Sequence, residues 1–261
     1  MINALHTACL GMLAQQLNID NIAHNLANVN TTGYKKSRIE FQDLLYTAIR
    51  QPVTTQETTA PTGLYLGLGV RKAATQTFFQ EGNLISTENP LDVAIVGDGF
   101  FKIEVPNEEE PLYTRDGSFK LDAEGNLVTS DGYRVAGVEA LPEGAYNIAI
   151  APDGTVTYRL PGEEEPAEAG RIEIARFPNP AGLERIGHNL YRRSPASGEA
   201  IDWDPEADST VRLEQGYLEA ANVQVVEEMI NMIMAQRAYE INSKVIQTSD
   251  EMMSMANNLR R

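Results

Sequence analysis

The sequence predicts an α+β fold, with an antiparallel all-β body and N- and C-terminal helices that pair as a coiled-coil-like domain. Apolar residues recur at heptad spacing at both ends of the 261-residue chain, a pattern typical of helices that pack along one another. Between the ends, short apolar segments of period two alternate with turn residues, as in antiparallel sheets. We therefore expect helical ends over 1–30 and 219–261, a connecting arm over 31–75 and a β domain over 76–218.

The first helix is predicted from residues that follow one another at alternating steps of three and four, with Gln15 as the polar member. These residues are Leu5, Ala8, Met12, Gln15, Ile19, Ile22, Leu26 and Val29. The helix should end within 28–33, where residues that favour caps and turns are concentrated.

A line of asparagines (Asn18, Asn21, Asn25 and Asn28) runs beside this seam at the same spacing. Because Asn is a mediocre helix former, four in register favour side-chain hydrogen bonds to neighbouring helices. The alternative is a polar flank that faces water.

The connecting arm carries weaker signals. Phe41, Leu44 and Leu45 have helical spacing, which allows a second short helix after the basic segment 35–38. Residues 50–69 are rich in Thr, Pro and Gly and predict a loop or an extended arm.

The middle of the chain predicts the β body. Residues 91–97 and 99–105 indicate two strands joined by a tight Gly97-Asp98-Gly99 turn. Further strands are predicted at 113–119, 127–129, 133–138, 146–150, 155–160, 172–177, 187–191 and 211–218. Turn signals at intervals of about ten residues favour an antiparallel domain.

The C-terminal stretch predicts one helix, uninterrupted by Pro or Gly and about 55 Å long. Its heptad seam runs through Val223, Val226, Ile230, Met234, Ala238, Ile241, Val245, Thr248, Met252, Met255 and Leu259. Such a seam needs a second helix along it, which the N-terminal helix supplies. The remaining surface is too polar for a membrane span. The candidate subunit-interface residues are Leu5, Met12, Ile19, Asn21, Ile22, Asn25, Leu26, Asn28, Ile230, Met234, Ile241, Val245, Met252, Met255 and Leu259.

Charge and cysteine content exclude several classes of protein. The net charge is −16, and the segment 76–217 accounts for it, with 11 basic against 27 acidic residues. An acidic body would repel nucleic acid. The single cysteine, Cys9, excludes an internal disulfide. Residues 1–15 lack the basic start and apolar run of a signal peptide.

Candidate chemistry is sparse. His6, His24 and His188 are scattered, whereas metal sites need clustered ligands. The segment 122–126 faintly resembles a calcium loop, but its glycine comes fourth instead of sixth. We expect no active site, no cofactor and no metal. Two other classes stay open: a coiled-coil adhesin or stalk, and an enzyme with a β body and helical dimer contacts.

Several segments resemble the flagellar rod and hook proteins. The N-terminal signature lies within 25–38 and includes Asn28, Thr31, Gly33, Tyr34 and Lys35. Gly-Asp-Gly-Phe-Phe at 97–101, Tyr-Thr-Arg-Asp-Gly-Ser-Phe at 113–119, Asp-Gly-Tyr-Arg-Val at 131–135, Gln-Gly-Tyr-Leu-Glu at 215–219, Asn-Val at 222–223 and residues 236–248 are similar to other blocks of that family.

This resemblance implies an assembly subunit. Such proteins join their terminal helices into an inner tube and leave the cell through the flagellar type III export apparatus without a cleaved signal peptide. The implied partners are further copies, other rod proteins, the hook protein and, where the host has an outer membrane, rings around the rod. Length and the segment 63–70 resemble the members that form the distal part of the rod, with another rod or hook subunit as the alternative.

Overall fold

The computed structural model describes residues 2–50, 53–54, 59–60, 62–106, 108, 110–161, 165–206 and 210–258. The chain divides into two compact units. The first contains residues 1–27, 37–77 and 224–261, and the second contains 28–36 and 78–223.

The first unit contains both long helices, α1 (Ile2–Ala27) and α2 (Val225–Asn258), as the heptad patterns predict. The two helices pack against each other. Its strands are β1 (Ser37–Asp43), β2 (Thr47–Arg50), β3 (Val53–Thr54), β4 (Thr59–Ala60), β5 (Leu64–Leu66) and β6 (Val70–Thr77).

These six strands form three antiparallel pairs, which together we call the ribbon. β1 pairs with β6, β2 with β5 and β3 with β4, so the three pairings are nested between residues 37 and 77. The Leu44 amide donates to the Gly69 carbonyl at 2.9 Å and continues the pairing between β1 and β2. The short helix allowed at Phe41–Leu45 is wrong, because Phe41 lies in β1 opposite Lys72. Cross-strand hydrogen bonds thus satisfy a backbone that an isolated short helix could not stabilise.

The second unit is the predicted β body. Its strands are β7 (Leu84–Ser86), β8 (Val93–Val96), β9 (Phe100–Glu104), β10 (Leu112–Thr114), β11 (Lys120–Leu121), β12 (Leu127–Val128), β13 (Arg134–Val135), β14 (Tyr146–Ile150), β15 (Thr155–Arg159), β16 (Ala167–Arg171), β17 (Ile174–Arg176), β18 (Glu184–Gly187), β19 (Leu190–Arg192), β20 (Ile201–Asp202), β21 (Arg212–Gln215) and β22 (Tyr217–Glu219). A single 3₁₀ turn, Pro180–Gly182, is also described. Every strand pairing described is antiparallel.

The central sheet is organised around β9. Its strands follow the order β11-β12-β13-β9-β10-β19-β18, and β17 also pairs with β9. Phe101 and Ile103 point into the main apolar core, whereas Phe100 contributes to an aromatic cluster with Tyr113 and Tyr191. Successive side chains of a strand alternate between its faces, so β9 carries core residues on both.

One predicted hairpin is wrong. β8 does not pair with β9 but with β21, where Val93 lies opposite Gln215. The Gly97-Asp98-Gly99 segment therefore links two different sheets. Its glycines allow close packing: a Cβ on Gly97, whose φ is 100°, would lie 2.6 Å from the Thr210 carbonyl oxygen.

The predicted strand 211–218 is present as two strands. Gly216, with a φ of 76°, separates β21 from β22. β21 pairs with β8 and β22 pairs with β7. The left-handed conformation of Gly216 thus changes the direction of the chain, so that the two halves of one segment pair with different strands.

Candidate assembly surface

An apolar stripe runs along the exposed side of α2. We call it the outer stripe, and its members are between 38% and 66% exposed. They are Val226, Ile230, Ile233, Met234, Ile241, Val245, Met252 and Met255. Arg237 lies within its breadth, since helical residues repeat at about 100°. Exposed Lys244 and Thr248 also lie within it, so the stripe is interrupted by polar side chains. An exposed apolar stripe of this kind typically marks a binding site for another protein.

The inner side of α2 carries small and polar residues at heptad spacing. Ala235 and Ser249 are buried, and Asn242 lies between them in the sequence. A Cβ added to Gly11 of α1 would lie 3.0 Å from Asn242 Nδ2, so the helices approach closely there. The outer stripe is centred about 120° around the helix from this inner line.

The two predicted seams therefore differ in burial. In α1, Ile22 is buried, and Leu5, Met12, Ile19 and Leu26 are half-buried. In α2, seven of the eleven predicted seam residues belong to the outer stripe and not to the side that meets α1, so the expected seam-to-seam pairing within one chain is wrong. Of the others, Ala238 is half-buried and Thr248 is exposed. Large apolar residues would hold the helices apart, whereas Ala235 and Gly11 let them approach. Leu259 lies outside the described residues.

Two members of the asparagine line bind the first residue of β1. Asn25 is 2% exposed, and its Nδ2 donates to the Ser37 carbonyl at 2.9 Å while its Oδ1 accepts from the Ser37 amide at 3.1 Å. Asn21 Nδ2 donates to the same carbonyl at 2.7 Å, and Ser37 Oγ donates to Asn21 Oδ1 at 2.8 Å.

These contacts correct the prediction for Asn21 and Asn25, because the bonds reach a strand of the same chain rather than a neighbouring helix. Asn28 has a different environment at the end of α1. The Thr31 amide donates to the Asn28 carbonyl at 3.1 Å, and the Thr31 hydroxyl donates to Asn28 Oδ1 at 3.2 Å. This turn ends the helix, as predicted from its cap residues.

The signature residues that follow, Gly33, Tyr34 and Lys35, are buried. Gly33 has a φ of 66°, and a Cβ there would lie 2.6 Å from the Arg115 carbonyl carbon. Its amide donates to the Glu219 carbonyl at 2.8 Å. Tyr34 is buried, and the Arg185 guanidinium lies 5.6 Å from its ring centroid. Arg185 also donates to the Lys35 carbonyl.

Lys35 belongs to a buried charged cluster. Its side chain is 0% exposed, and Nζ lies 2.5 Å from Glu219 Oε1 and 2.7 Å from the Gln80 carbonyl. Arg115 Nη1 approaches Glu219 Oε2 at 3.4 Å. Desolvation lowers the pKa of Lys35 and nearby Arg115 lowers it further, while Glu219 opposes both.

Asn222 joins two further segments to this cluster. The Lys36 amide donates to Asn222 Oδ1 at 2.7 Å, and Asn222 Nδ2 donates to the Phe78 carbonyl at 2.8 Å. The signature thus holds the segment 28–36 to the β body. Sequence reasoning did not assign roles to Arg115, Glu219 and Asn222, although each lies in a segment that resembles the family.

Other chemistry is sparse. Within the described ranges no group of three or more His, Cys, Asp or Glu side chains could hold a metal ion. Neither described helix is long and apolar enough to cross a membrane. His188 Nδ1 lies 3.3 Å from Asp131 Oδ2 on an exposed hairpin.

Comparison with known proteins gives three family matches and full-length relatives. Residues 5–35 match the flagella basal body rod protein family, 94–158 the flagellar hook protein FlgE/F/G D1 domain and 214–259 the flagellar basal body rod FlgEFG protein C-terminal family. The chain is 51% identical to the flagellar basal-body rod protein FlgG of Borreliella burgdorferi, over 100% of both chains. Identity to the FlgG proteins of Agrobacterium fabrum and Bacillus subtilis is 46% (97% of this chain, 98% of the relative) and 39% (100% of both).

Proposed function

The chain belongs to the family of flagellar basal-body rod proteins, and from this premise we propose that it is a distal-rod subunit that self-assembles through its terminal helices. It is a structural component of the basal-body rod and not an enzyme. The proposed assembly is a helical tube that transmits torque from the motor to the hook.

The outer stripe of α2 carries this proposal. Its eight apolar side chains are exposed although they recur at the spacing of a helical seam. Exposing such a surface to water is unfavourable, and covering it with another apolar helix would stabilise an assembly. A second copy of the chain is the partner that a homopolymer supplies.

The paired helices are proposed as the unit that assembles. The inner line of α2 repeats every seven residues through Ala235, Asn242 and Ser249, which fits coiled-coil-like pairing with α1. Each copy would then present the outer stripe to its neighbours. The proposed tube domain comprises residues 1–30 and 219–261.

The ribbon of β1–β6 offers a second contact surface. Exposed large apolar residues cluster on β2, β5 and the residues before β2, and Leu45 is 88% exposed. They are Leu45, Tyr46, Ile49, Leu64, Tyr65 and Leu66. We propose that neighbouring subunits cover this surface and that the contact stiffens the stack.

Proposed partners beyond further copies are the other rod proteins, the hook protein and the flagellar type III export apparatus. Rings around the rod are added where the host has an outer membrane. Full-length similarity to FlgG proteins supports the distal-rod assignment over another rod or hook subunit. Shared family membership also favours an axial protein over an adhesin.

Charge placed in the outer stripe tests the proposal. Ile230→Asp combined with Ile241→Asp should abolish rod assembly, because a buried unpaired charge is costly. Gln236→Asp, at an exposed polar position of the same helix, is the matched control. Each variant replaces the native protein in a motile host, and rods in isolated basal bodies are counted by electron microscopy.

The purified variants separate assembly from folding. Both should keep the far-ultraviolet circular dichroism and melting transition of the unmodified chain. Normal rods in cells that carry the double variant would exclude the outer stripe as the polymer contact.

A further inference from the structure

The outer stripe contains three exposed methionines. Met234, Met252 and Met255 are 64%, 47% and 58% exposed, and all three lie among the aliphatic residues of the stripe. Met232 and Met253 are only half-buried and lie toward the inner side of α2. Thioethers at an exposed helix surface are accessible to small oxidants.

Met229 provides an internal comparison. It is also exposed, at 44%, but it lies just outside the stripe, about 40° around the helix from the stripe residue Ile233. The chain thus carries exposed methionines of the same helix both inside and outside the surface that assembly would cover.

Oxidation changes what these side chains can pack against. The sulfur lone pair attacks one oxygen of hydrogen peroxide, the O–O bond breaks, a sulfur–oxygen bond forms, and water leaves after proton transfer. The sulfur is oxidised and the peroxide is reduced. The product sulfoxide is polar, whereas the thioether is apolar and adaptable.

We propose that Met234, Met252 and Met255 form an oxidation-sensitive site that prevents modified subunits from joining the assembly. A sulfoxide oxygen within the stripe would be desolvated beside aliphatic side chains such as Ile241 and Val245, which offer no hydrogen-bond donor. Only a sulfoxide that reaches Arg237 or Lys244 would recover a side-chain donor. The free subunit tolerates the modification, because the same sulfoxides remain hydrated on an exposed surface.

This inference rests on the proposed use of the outer stripe in assembly. It adds that the site is open to modification in the free subunit and closed after incorporation. Incorporated subunits should therefore resist oxidation at these three positions.

The experiment uses the full chain with Cys9→Ser, which removes the exposed thiol as a competing target. The purified protein is treated with hydrogen peroxide, oxidation is located by peptide mass spectrometry, and self-association is followed by sedimentation with isolated basal bodies as seeds. Oxidation should raise the concentration needed for association at least about tenfold, while the helical circular dichroism stays unchanged. Methionine sulfoxide reductases for both epimers should restore association.

Two variants identify the responsible residues. Met234→Leu, Met252→Leu and Met255→Leu together preserve an apolar stripe and should make association insensitive to peroxide. Met229→Leu alone should leave the sensitivity intact. In basal bodies treated in parallel, the three stripe methionines should remain largely unmodified.

The outcomes distinguish the two proposals. If untreated protein does not associate even with seeds, the proposed assembly itself fails. If untreated protein associates and fully oxidised protein does so at the same concentration, the oxidation site alone is excluded. Continued peroxide sensitivity of the triple Leu variant would also overturn it.

Discussion

Lys35 Nζ lies 2.5 Å from Glu219 Oε1, so residues 184 positions apart in the sequence form one buried ion pair. Arg115 approaches the other carboxylate oxygen of Glu219 at 3.4 Å. The Gly82 amide donates to Glu219 Oε1 at 2.9 Å. One carboxylate at the end of β22 thus connects the N-terminal signature, the segment before β7 and the residue that follows β10.

Glu219→Gln should strongly destabilise the β body. The substitution keeps the side-chain shape but leaves the charges of Lys35 and Arg115 buried without their counter-ion. Removing one partner of a buried ion pair typically costs about 3–5 kcal/mol. Urea unfolding of the full chain, monitored by Trp203 fluorescence, measures the change.

Glu214→Gln is the matched control for this prediction. Glu214 lies in β21 and pairs with exposed Arg212 at 3.0 Å, and such surface pairs contribute about 0–1 kcal/mol. Equal losses in the free energy of unfolding for the two substitutions would show that the contribution of Glu219 to stability does not depend on its burial.

The lowered pKa of Lys35 predicts how stability changes in alkaline solution. Below 10.5, the ordinary lysine pKa, the unfolded chain binds the Lys35 proton more tightly than the folded chain. The Lys35 contribution to the free energy of unfolding should therefore rise as the pH increases from the folded pKa toward 10.5.

Comparison with Lys35→Met isolates this effect. Burial raises the pKa of Tyr113 and Tyr191, but both chains share these tyrosines, so their contributions cancel in the difference. Denaturant unfolding of both chains at several alkaline pH values gives that difference. A difference in unfolding free energy that falls toward pH 10.5 would contradict the lowered pKa of Lys35.

The long helices could be predicted because their signal is local and repeated. α2 spans Val225–Asn258, close to the range that its heptads indicate. Which side of α2 meets α1 could not be predicted from hydrophobicity, because close approach favours Ala235 and Ser249 over larger residues. The apolar pattern located the helix but not the side of it that meets α1.

The positions of strands could likewise be predicted from the sequence, whereas their pairing partners could not. Period two locates β8 and β9, but pairing of β8 with β21 depends on contacts more than a hundred residues apart. The ribbon between 37 and 77 was missed because its stability comes from cross-strand bonds and not from an apolar pattern. The Lys35–Glu219 pair was missed for a related reason: a buried charge resembles a surface charge in the sequence.

Gly33→Ala should destabilise the β body by a combination of strain and collision. The left-handed φ of 66° costs an L residue about 1–2 kcal/mol. The new Cβ would also lie 2.6 Å from the Arg115 carbonyl carbon, so the backbone must shift. Gly132→Ala is the control, because its φ is 87° but nothing lies within 4 Å of the added Cβ. Thermal unfolding should show a larger loss for Gly33→Ala, and equal losses would exclude the collision.

Asn25→Leu should loosen the start of β1 while leaving the β body folded. The substitution removes the 3.1 Å acceptor of the Ser37 amide and the 2.9 Å donor to its carbonyl. A buried polar group left without its partner costs about 1–3 kcal/mol. Hydrogen exchange should accelerate at Ser37 and the following β1 amides.

Gln16→Leu, at an exposed position of α1, is the control for Asn25→Leu and should leave exchange in β1 unchanged. Asn21 still donates to the Ser37 carbonyl at 2.7 Å, so the strand should remain attached and the effect should stay local. Assembly of the variant should be weakened only if the ribbon needs the Asn25 bonds to hold the first residue of β1 in place. Unchanged exchange at Ser37 in Asn25→Leu would show that the Asn25 bonds do not hold the strand.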